Sequence, residues 1–247
     1  MVDINSITEK REILFALAPF SEGVKALKRK SDLVDFTFTD LRLYGSALTK
    51  EGVASILEGI TIPGAPVQEH RLCETHRKLM SRFDDKLHMG LEIDSILLNE
   101  FCVILASAKL PPYREGAPLL YHLDYVPGCE DSISADLAGF FSAVRKAEKD
   151  GVYSGDFCLK AADIHMGILK VYPYVEGFSE LSARAAAQFE LVRAGYFPVD
   201  FNVSEPEYNR ICADAIRTSD VSEFADVLRI AVLKKLHKLI DAVNIGT

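Results

Sequence analysis

The sequence predicts a mainly helical, all-α domain with one small β element. Apolar residues recur at the three- and four-residue spacing of amphipathic helices through most of the 247 residues. Proline and glycine interrupt these patterns, and there is neither a flexible linker nor an internal repeat. Only residues 117–126 (APLLYHLDYV) favour a strand, as one arm of a hairpin that reaches Pro127 and Gly128.

Residues 1–60 are predicted to form a set of amino-terminal helices. Residues 6–30 have the periodicity of one or two amphipathic helices, and Pro19 is the expected break between them. Residues 31–48 are mixed in pattern and predict a short helix or an extended piece. Thr49 then suits the N-cap of a further short helix, because its hydroxyl can accept a hydrogen bond from a free backbone N–H group.

Residues 61–247 are predicted to form the core domain of the chain. A tight loop is expected at 172–180, between two helices of this domain. Apolar periodicity, capping residues and proline or glycine stops predict seven helices here. They lie at about 67–83, 92–108, 131–149, 155–171, 181–194, 205–217 and 222–243.

Composition limits the classes of function. The net charge is −8, and the one basic run, residues 25–30, is typical of a solvated helix face, so a nucleic-acid partner is not expected. Five widely spaced cysteines form no CxxC pair, which indicates a reducing compartment and neither disulfides nor a cysteine metal site. The amino terminus lacks the pattern of a signal peptide, and no apolar run could span a membrane. A cytoplasmic protein without a membrane partner is expected.

A motif between two predicted helices carries most of the functional information. Residues 172–184 read YPYVEGFSELSAR, and Arg193-Ala194-Gly195-Tyr196 follow them. This arrangement resembles the Fic (Fido) family, whose signature is HPFx[DE]GNGRxxR and whose members mostly transfer AMP from ATP to a hydroxyl side chain of another protein. The resemblance implies a Fic/Fido fold with a small β-hairpin flap.

Three further segments extend the resemblance over most of the chain. Ala161, Ala162 and His165 match the helix that precedes the motif in the family. Tyr113-Arg114 and residues 117–126 are similar to the flap that docks the target protein. The segment YGSALTKEGVASIL, which begins at Tyr44, resembles the family's inhibitory helix.

The sequence departs from the family signature at the positions that carry its chemistry. Only the proline, the acidic residue and the first glycine of the signature are kept, at Pro173, Glu176 and Gly177. The histidine, asparagine, second glycine and two arginines of the signature are replaced by Tyr172, Phe178, Ser179, Glu180 and Ala183.

These replacements argue against the family's reaction. A tyrosine with an ordinary pKa of about 10 is only about one-thousandth phenolate at neutral pH, so Tyr172 is a poor substitute for the general base. Glu180 would repel the phosphates that an arginine attracts, by several kcal/mol at an effective dielectric constant of about 20. It could instead satisfy the free N–H groups of the following helix. Glu176 matches the family's Mg²⁺ ligand, but Mg²⁺ usually needs substrate phosphates as well, and a solvated loop glutamate is the simpler interpretation.

The inhibitory ion pair of the family is also missing at its expected positions. Tyr44 replaces the glutamate of the inhibitory helix, and Ala183 replaces its arginine partner. Loss of this inhibitory contact is consistent with a protein that has little catalytic activity to inhibit. Neutral sequence change at a packing contact would give the same pattern. Tyr172, Tyr174 and Phe178 are expected to fill the volume of the former nucleotide site.

Three functions stay open at this stage. The favoured one is a catalytically inactive Fic-fold pseudoenzyme that binds an unidentified protein partner or a small ligand. The alternative is a divergent nucleotidyltransferase of protein hydroxyl groups, and the third is a homo-oligomeric scaffold. No cofactor is identified, and ATP with Mg²⁺ is not expected to bind. Tyr172 is the only catalytic candidate, Glu176 is the metal-ligand candidate, and the ligand-binding candidates are Tyr44, Glu176, Gly177, Phe178, Ser179 and Glu180.

Overall fold

A computed structural model describes residues 3–175 and 177–245 of the chain. The described residues form ten α-helices and no strand longer than an isolated bridge, so the all-α prediction is confirmed. The helices are α1 (Ile4–Ala16), α2 (Glu22–Leu43), α3 (Lys50–Leu57), α4 (Val67–His88), α5 (Ser95–Ala106), α6 (Ile133–Lys149), α7 (Phe157–Val171), α8 (Phe178–Arg193), α9 (Glu205–Thr218) and α10 (Ser222–Ile245).

Helices α7 and α8 form the centre of the domain. They pack along each other, with α5 and α2 against α8 and with α6, α9 and α10 against α7. The alanine-rich surface of α8 is buried from Leu181 to Leu191, because small side chains let neighbouring helices approach closely on every side. Four phenylalanines from α2, α4, α5 and α8 meet beside it, with ring centroids 5.0–5.7 Å apart: Phe36, Phe83, Phe101 and Phe189.

The prediction for residues 31–48 was wrong, because α2 continues without interruption to Leu43. Its inward face carries buried carboxylates, which obscure the apolar periodicity on which the prediction rested. Lys235 of α10 forms ion pairs with both Asp32 and Asp35. The tertiary structure therefore brings the Lys235 ammonium to these two buried carboxylates and compensates their charge.

The segment predicted as a hairpin is a turn with a single bridge. Leu120 pairs with Tyr125, and the Leu120 N–H group donates to the Tyr125 carbonyl over 2.8 Å. Residues 121–124 form the turn between them, so too few residues remain on either side for a β ladder. We refer to residues 113–126 as the flap.

The amino-terminal helices contribute to the same hydrophobic core as the rest of the chain. Ile7 of α1 and Phe36 of α2 belong to the main buried cluster, and α1 packs on α10. The boundary near residue 60 stays a prediction. No helix among the described residues has both the length and the apolar character that crossing a bilayer requires.

Candidate functional site

The connection between α7 and α8 is fixed at its first residue, Tyr172. This residue ends α7 in the left-handed conformation, with φ of 47°, and its N–H group donates to the Ile168 carbonyl over 2.8 Å. Its side chain is buried. A tyrosine pays a steric cost at positive φ, so the surrounding packing must hold it there.

Gly177 is the N-cap residue of α8 and has φ of 87°, a conformation that favours glycine. The ring of Tyr44, from the end of α2, lies directly over it. A Cβ atom at position 177 would come within 2.9 Å of the Tyr44 hydroxyl oxygen. Both the backbone and the neighbouring ring therefore require glycine here.

The Glu180 carboxylate closes the amino-terminal end of α8. Oε2 accepts a hydrogen bond from the Gly177 N–H group over 3.0 Å, and Oε1 accepts one from the Tyr172 hydroxyl over 2.7 Å. His122 Nε2 lies 3.2 Å from the same Oε1. Burial tends to raise the pKa of Glu180, but the hydrogen bonds from His122 and Tyr172 outweigh it, and the pKa is lowered. The site therefore contains an ionised carboxylate that satisfies the helix end, as the sequence suggested.

Ser179, one of the ligand-binding candidates, is buried in the first turn of α8. Its hydroxyl accepts a hydrogen bond from the Tyr174 N–H group over 2.8 Å and donates one to the Tyr174 carbonyl over 2.9 Å. The Tyr174 hydroxyl in turn donates to Asn99 Oδ1 over 2.7 Å. Ser179 is thus a structural residue that fixes the loop from inside.

The flap is attached to this loop through the main chain. The Arg114 N–H group donates to the Pro173 carbonyl over 3.1 Å, and the Val175 N–H group donates to the Pro112 carbonyl over 2.9 Å. The Arg114 guanidinium also donates to the Tyr172 carbonyl over 2.6 Å. These bonds position the flap so that His122 reaches Glu180.

Arg184 is a site residue that the sequence analysis missed. It is buried in α8 and forms an ion pair with the buried Asp40 of α2, whose other oxygen lies 2.6 Å from His76 Nε2. Burial tends to raise the pKa of Asp40, but the Arg184 charge and the His76 hydrogen bond hold it below its usual value. An ion pair therefore joins α2 to α8 at residues 40 and 184, rather than at Tyr44 and Ala183. The signal that could have revealed it is an arginine one residue beyond the signature.

His165, which matches the family helix before the motif, is a buried and packed residue. Its Nε2 atom lies 2.8 Å from the Tyr208 hydroxyl, and its ring stacks on Phe224 with centroids 4.4 Å apart. Burial, with a smaller contribution from the Arg184 charge, lowers its pKa to about 3. His165 is therefore neutral at physiological pH, and its hydrogen-bond partner is Tyr208.

Solved structures of Fic-domain proteins share this arrangement of helices. A Fic-domain-containing signaling protein from Bacteroides thetaiotaomicron superposes with a TM-score of 0.77 at 15% identity, over 97% of this chain and 98% of the other. Fic-1 from C. elegans (residues 134–508) gives 0.74 at 15% identity, over 98% and 73% of the two chains. A Fic family protein from Desulfovibrio desulfuricans gives 0.71 at 17% identity, over 95% and 73%.

The chain has the Fic fold. At these identities the likeness establishes the fold alone. No protein-family model matches the sequence, and no curated protein is similar to it at a significant level.

An open cavity remains in this Fic fold beside the start of α8. It has a volume of about 390 Å³. Of the three aromatic residues expected to fill the former nucleotide site, Tyr172 and Tyr174 are buried, whereas Phe178 is half-buried beside a separate pocket of about 180 Å³. That they fill this site stays a prediction. The 390 Å³ cavity is lined by Leu43, Tyr44, His122, Gly177, Glu180, Arg184, Glu205, Tyr208 and Asn209.

The remaining expectations concern a metal and the cysteines. Glu176, the metal-ligand candidate, lies outside the described residues. Across residues 3–175 and 177–245, no group of three or more histidine, cysteine or carboxylate side chains is placed to bind a metal ion. All five cysteines are free thiols, and Cys129 is the one that is exposed.

Proposed function

We propose that this Fic-fold protein does not transfer AMP and acts by binding another protein or a ligand. The observation that supports the proposal is the Glu180 carboxylate at the start of α8. A helix amino terminus attracts anions through its free N–H groups. Here the protein's own carboxylate accepts a hydrogen bond from Gly177, the first of these groups.

The charges around the cavity oppose a triphosphate. Two unit charges about 4 Å apart interact by about 4 kcal/mol at an effective dielectric constant of 20, so an ionised Glu180 opposes each nearby phosphate charge by an energy of that order before solvent screening. Arg184 does not compensate, because its charge is already paired with Asp40. A phosphate would have to break that buried ion pair before it could use the guanidinium.

The geometry of Tyr172 also argues against a role as general base. Its hydroxyl donates its proton to Glu180, so the oxygen is not oriented to take a proton from a substrate. Ionising Tyr172 would place a second negative charge beside the carboxylate, and like charges at this distance disfavour each other. The departures at positions 172, 178, 179, 180 and 183 therefore support a degenerate Fic motif.

The direct test measures transfer and binding separately. The full chain is incubated with labelled ATP, GTP, UTP and CDP-choline in the presence of Mg²⁺, and the label on protein is counted. We expect none above background. Label transfer that is lost in Tyr172→Phe or Glu176→Ala would overturn the proposal.

A thermal-shift series with the same nucleotides tests the site itself. We expect no saturable stabilisation by ATP at micromolar concentrations, because of the Glu180 charge. The matched variant is Glu180→Gln, which keeps a hydrogen-bond acceptor at the helix end and removes the charge. Saturable stabilisation of the unmodified protein by micromolar ATP would contradict the argument from charge.

One observation favours a divergent transferase as the second candidate. A carboxylate that orients a histidine is the arrangement of a general base, and Glu180 contacts His122 in this way beside the flap. His122 lines both the 390 Å³ cavity and a pocket of about 650 Å³ between the flap and the α7–α8 loop. If label transfer is observed and His122→Asn abolishes it, the second candidate replaces the first.

A further inference from the structure

Acidic side chains outnumber lysine and arginine in the wall of the 390 Å³ cavity. Glu180 and Glu205 contribute two carboxylates to its wall. Among the described residues of that wall, Arg184 is the only lysine or arginine, and its ion pair with Asp40 compensates its charge. The wall and Asp40 together therefore contribute three carboxylates and one guanidinium. An anionic ligand is disfavoured here, and a cationic one is attracted.

Glu180 is unusual because it is a largely buried, ionised carboxylate without a fixed cation. Its side chain is 13% exposed, and its pKa is lowered although burial acts to raise it. Within residues 3–175 and 177–245, no lysine or arginine lies within ion-pair distance of it, and His122 is the one basic side chain that does. Buried charges in proteins are usually paired, so this carboxylate is suited to a cation from outside.

Other features of the wall suit an organic cation. Tyr44 lines the cavity and is 63% exposed, so its ring is accessible. Cations bind favourably over the faces of tyrosine rings. Tyr44 also follows the last residue of α2, and the carboxyl end of a helix carries partial negative charge.

A buried donor on a residue that lines the cavity gives a separate indication of a ligand. Arg184 Nη2 is buried and has no hydrogen-bond partner among the described residues. A ligand that carries a hydroxyl or carbonyl oxygen next to its cationic group could satisfy it with a small movement of the side chain. The wall therefore presents carboxylates for a cation and one donor for an acceptor.

We propose that this cavity binds a guanidinium or ammonium group, with the cation between Glu180 and Glu205 and against the Tyr44 ring. The inference rests on the proposed binding function and names the chemical class of its ligand. The group could belong to a free small molecule or to an arginine or lysine side chain of a partner. Both sources present the same cationic group on an uncharged stem.

The test compares pairs of probes that differ only in charge. Butylguanidine and butylurea have the same planar head and stem, but only the first is a cation. The peptides acetyl-Gly-Arg-Gly-amide and acetyl-Gly-citrulline-Gly-amide repeat the comparison with a partner-like backbone. Calorimetric titration of the full chain should show saturable binding of the guanidinium member of at least one pair, and at least tenfold weaker binding of its urea analogue. The pair that binds more tightly identifies the source.

Two neighbouring glutamates of α9 provide the matched variants. Glu205 lines the cavity, whereas Glu207 is an exposed residue of the same helical turn and does not. Glu205→Gln should weaken guanidinium binding about threefold, as expected for an exposed charge pair, and Glu207→Gln should leave it unchanged. Glu180→Gln should weaken it about tenfold or more, because that carboxylate is largely buried.

Equal binding of the guanidinium and urea probes, or no binding of either pair, would overturn the inference. The same holds if Glu205→Gln and Glu207→Gln have equal effects on affinity. These outcomes are independent of label transfer from nucleotides. If the probes do not bind as expected and no label is transferred, only the ligand class is refuted. If label is transferred, the proposed function is refuted.

Discussion

Removing Arg184 should destabilise the protein far more than removing a partly exposed arginine of the same helix. Arg184 is 2% exposed, and its partner Asp40 is fully buried. Arg184→Met leaves the Asp40 carboxylate in the interior with His76 as its remaining partner. Loss of one member of a buried ion pair typically costs about 3–5 kcal/mol, because the other charge is left uncompensated.

Urea denaturation followed by circular dichroism measures this cost. If unfolding follows a slope of about 3 kcal/mol per molar urea, a loss of about 4 kcal/mol lowers the midpoint by about 1.3 M. Arg193→Met is the control, because Arg193 lies at the end of the same helix and is 25% exposed, and its buried partner Glu190 keeps Lys160 as a second cation. It should cost about 1 kcal/mol or less.

A double variant separates the loss of the pair from the loss of packing. Asp40→Leu combined with Arg184→Met removes both charges and should recover at least half of the lost stability, since apolar replacements of buried pairs are often neutral. It also keeps the prediction testable if the single variant does not fold. Equal midpoints for Arg184→Met and Arg193→Met, or a double variant less stable than Arg184→Met, would refute the role given to this ion pair.

Three further outcomes are expected. The lowered pKa of Asp40 contributes stability that is fully present above its unfolded pKa of about 4 and is lost as pH falls through the folded pKa. The urea midpoint of the protein should therefore fall on acidification, and that of Asp40→Asn should fall less steeply. Gly167→Ala should lower the free energy of unfolding by about 1–3 kcal/mol, because its Cβ would overlap the Phe140 ring at 2.0 Å. Gly139→Ala on α6, whose Cβ would meet no atom within 4 Å, should raise it by about 0.5–1 kcal/mol. Thermal unfolding of both variants measures these changes. Ellman's reagent should titrate one thiol, Cys129, in the folded protein and four more only after unfolding, and a second rapidly reacting thiol would contradict the burial of the other cysteines.

Much of the helical architecture was predictable from local signals. Thr49 caps α3 as expected, and its hydroxyl accepts a hydrogen bond from the Gly52 N–H group over 3.2 Å. The two helices on either side of the motif were also expected, although α8 begins at Phe178, three residues before the predicted start. Caps and apolar periodicity act over one or two turns, so the sequence carries them directly.

Contacts between distant segments could not be predicted in the same way. The unbroken course of α2 past residue 30 was not predicted, because its buried carboxylates find lysine and arginine partners on other helices. The flap was expected as a hairpin, but its main chain bonds to the α7–α8 loop as well as to itself. Neither partner is close in sequence, so no local pattern records these contacts.

The sequence by itself determined the helical class, the likeness to the Fic family and the presence of a carboxylate at position 180. Each follows from residue types at fixed local spacing. Only the tertiary structure decided what that carboxylate contacts, that Arg184 is paired with Asp40, and that a cavity with negative charge remains beside them. The physical reason is that charge and volume in an interior depend on which helices meet, and Glu180, His122 and Asp40 come from three separate parts of the chain.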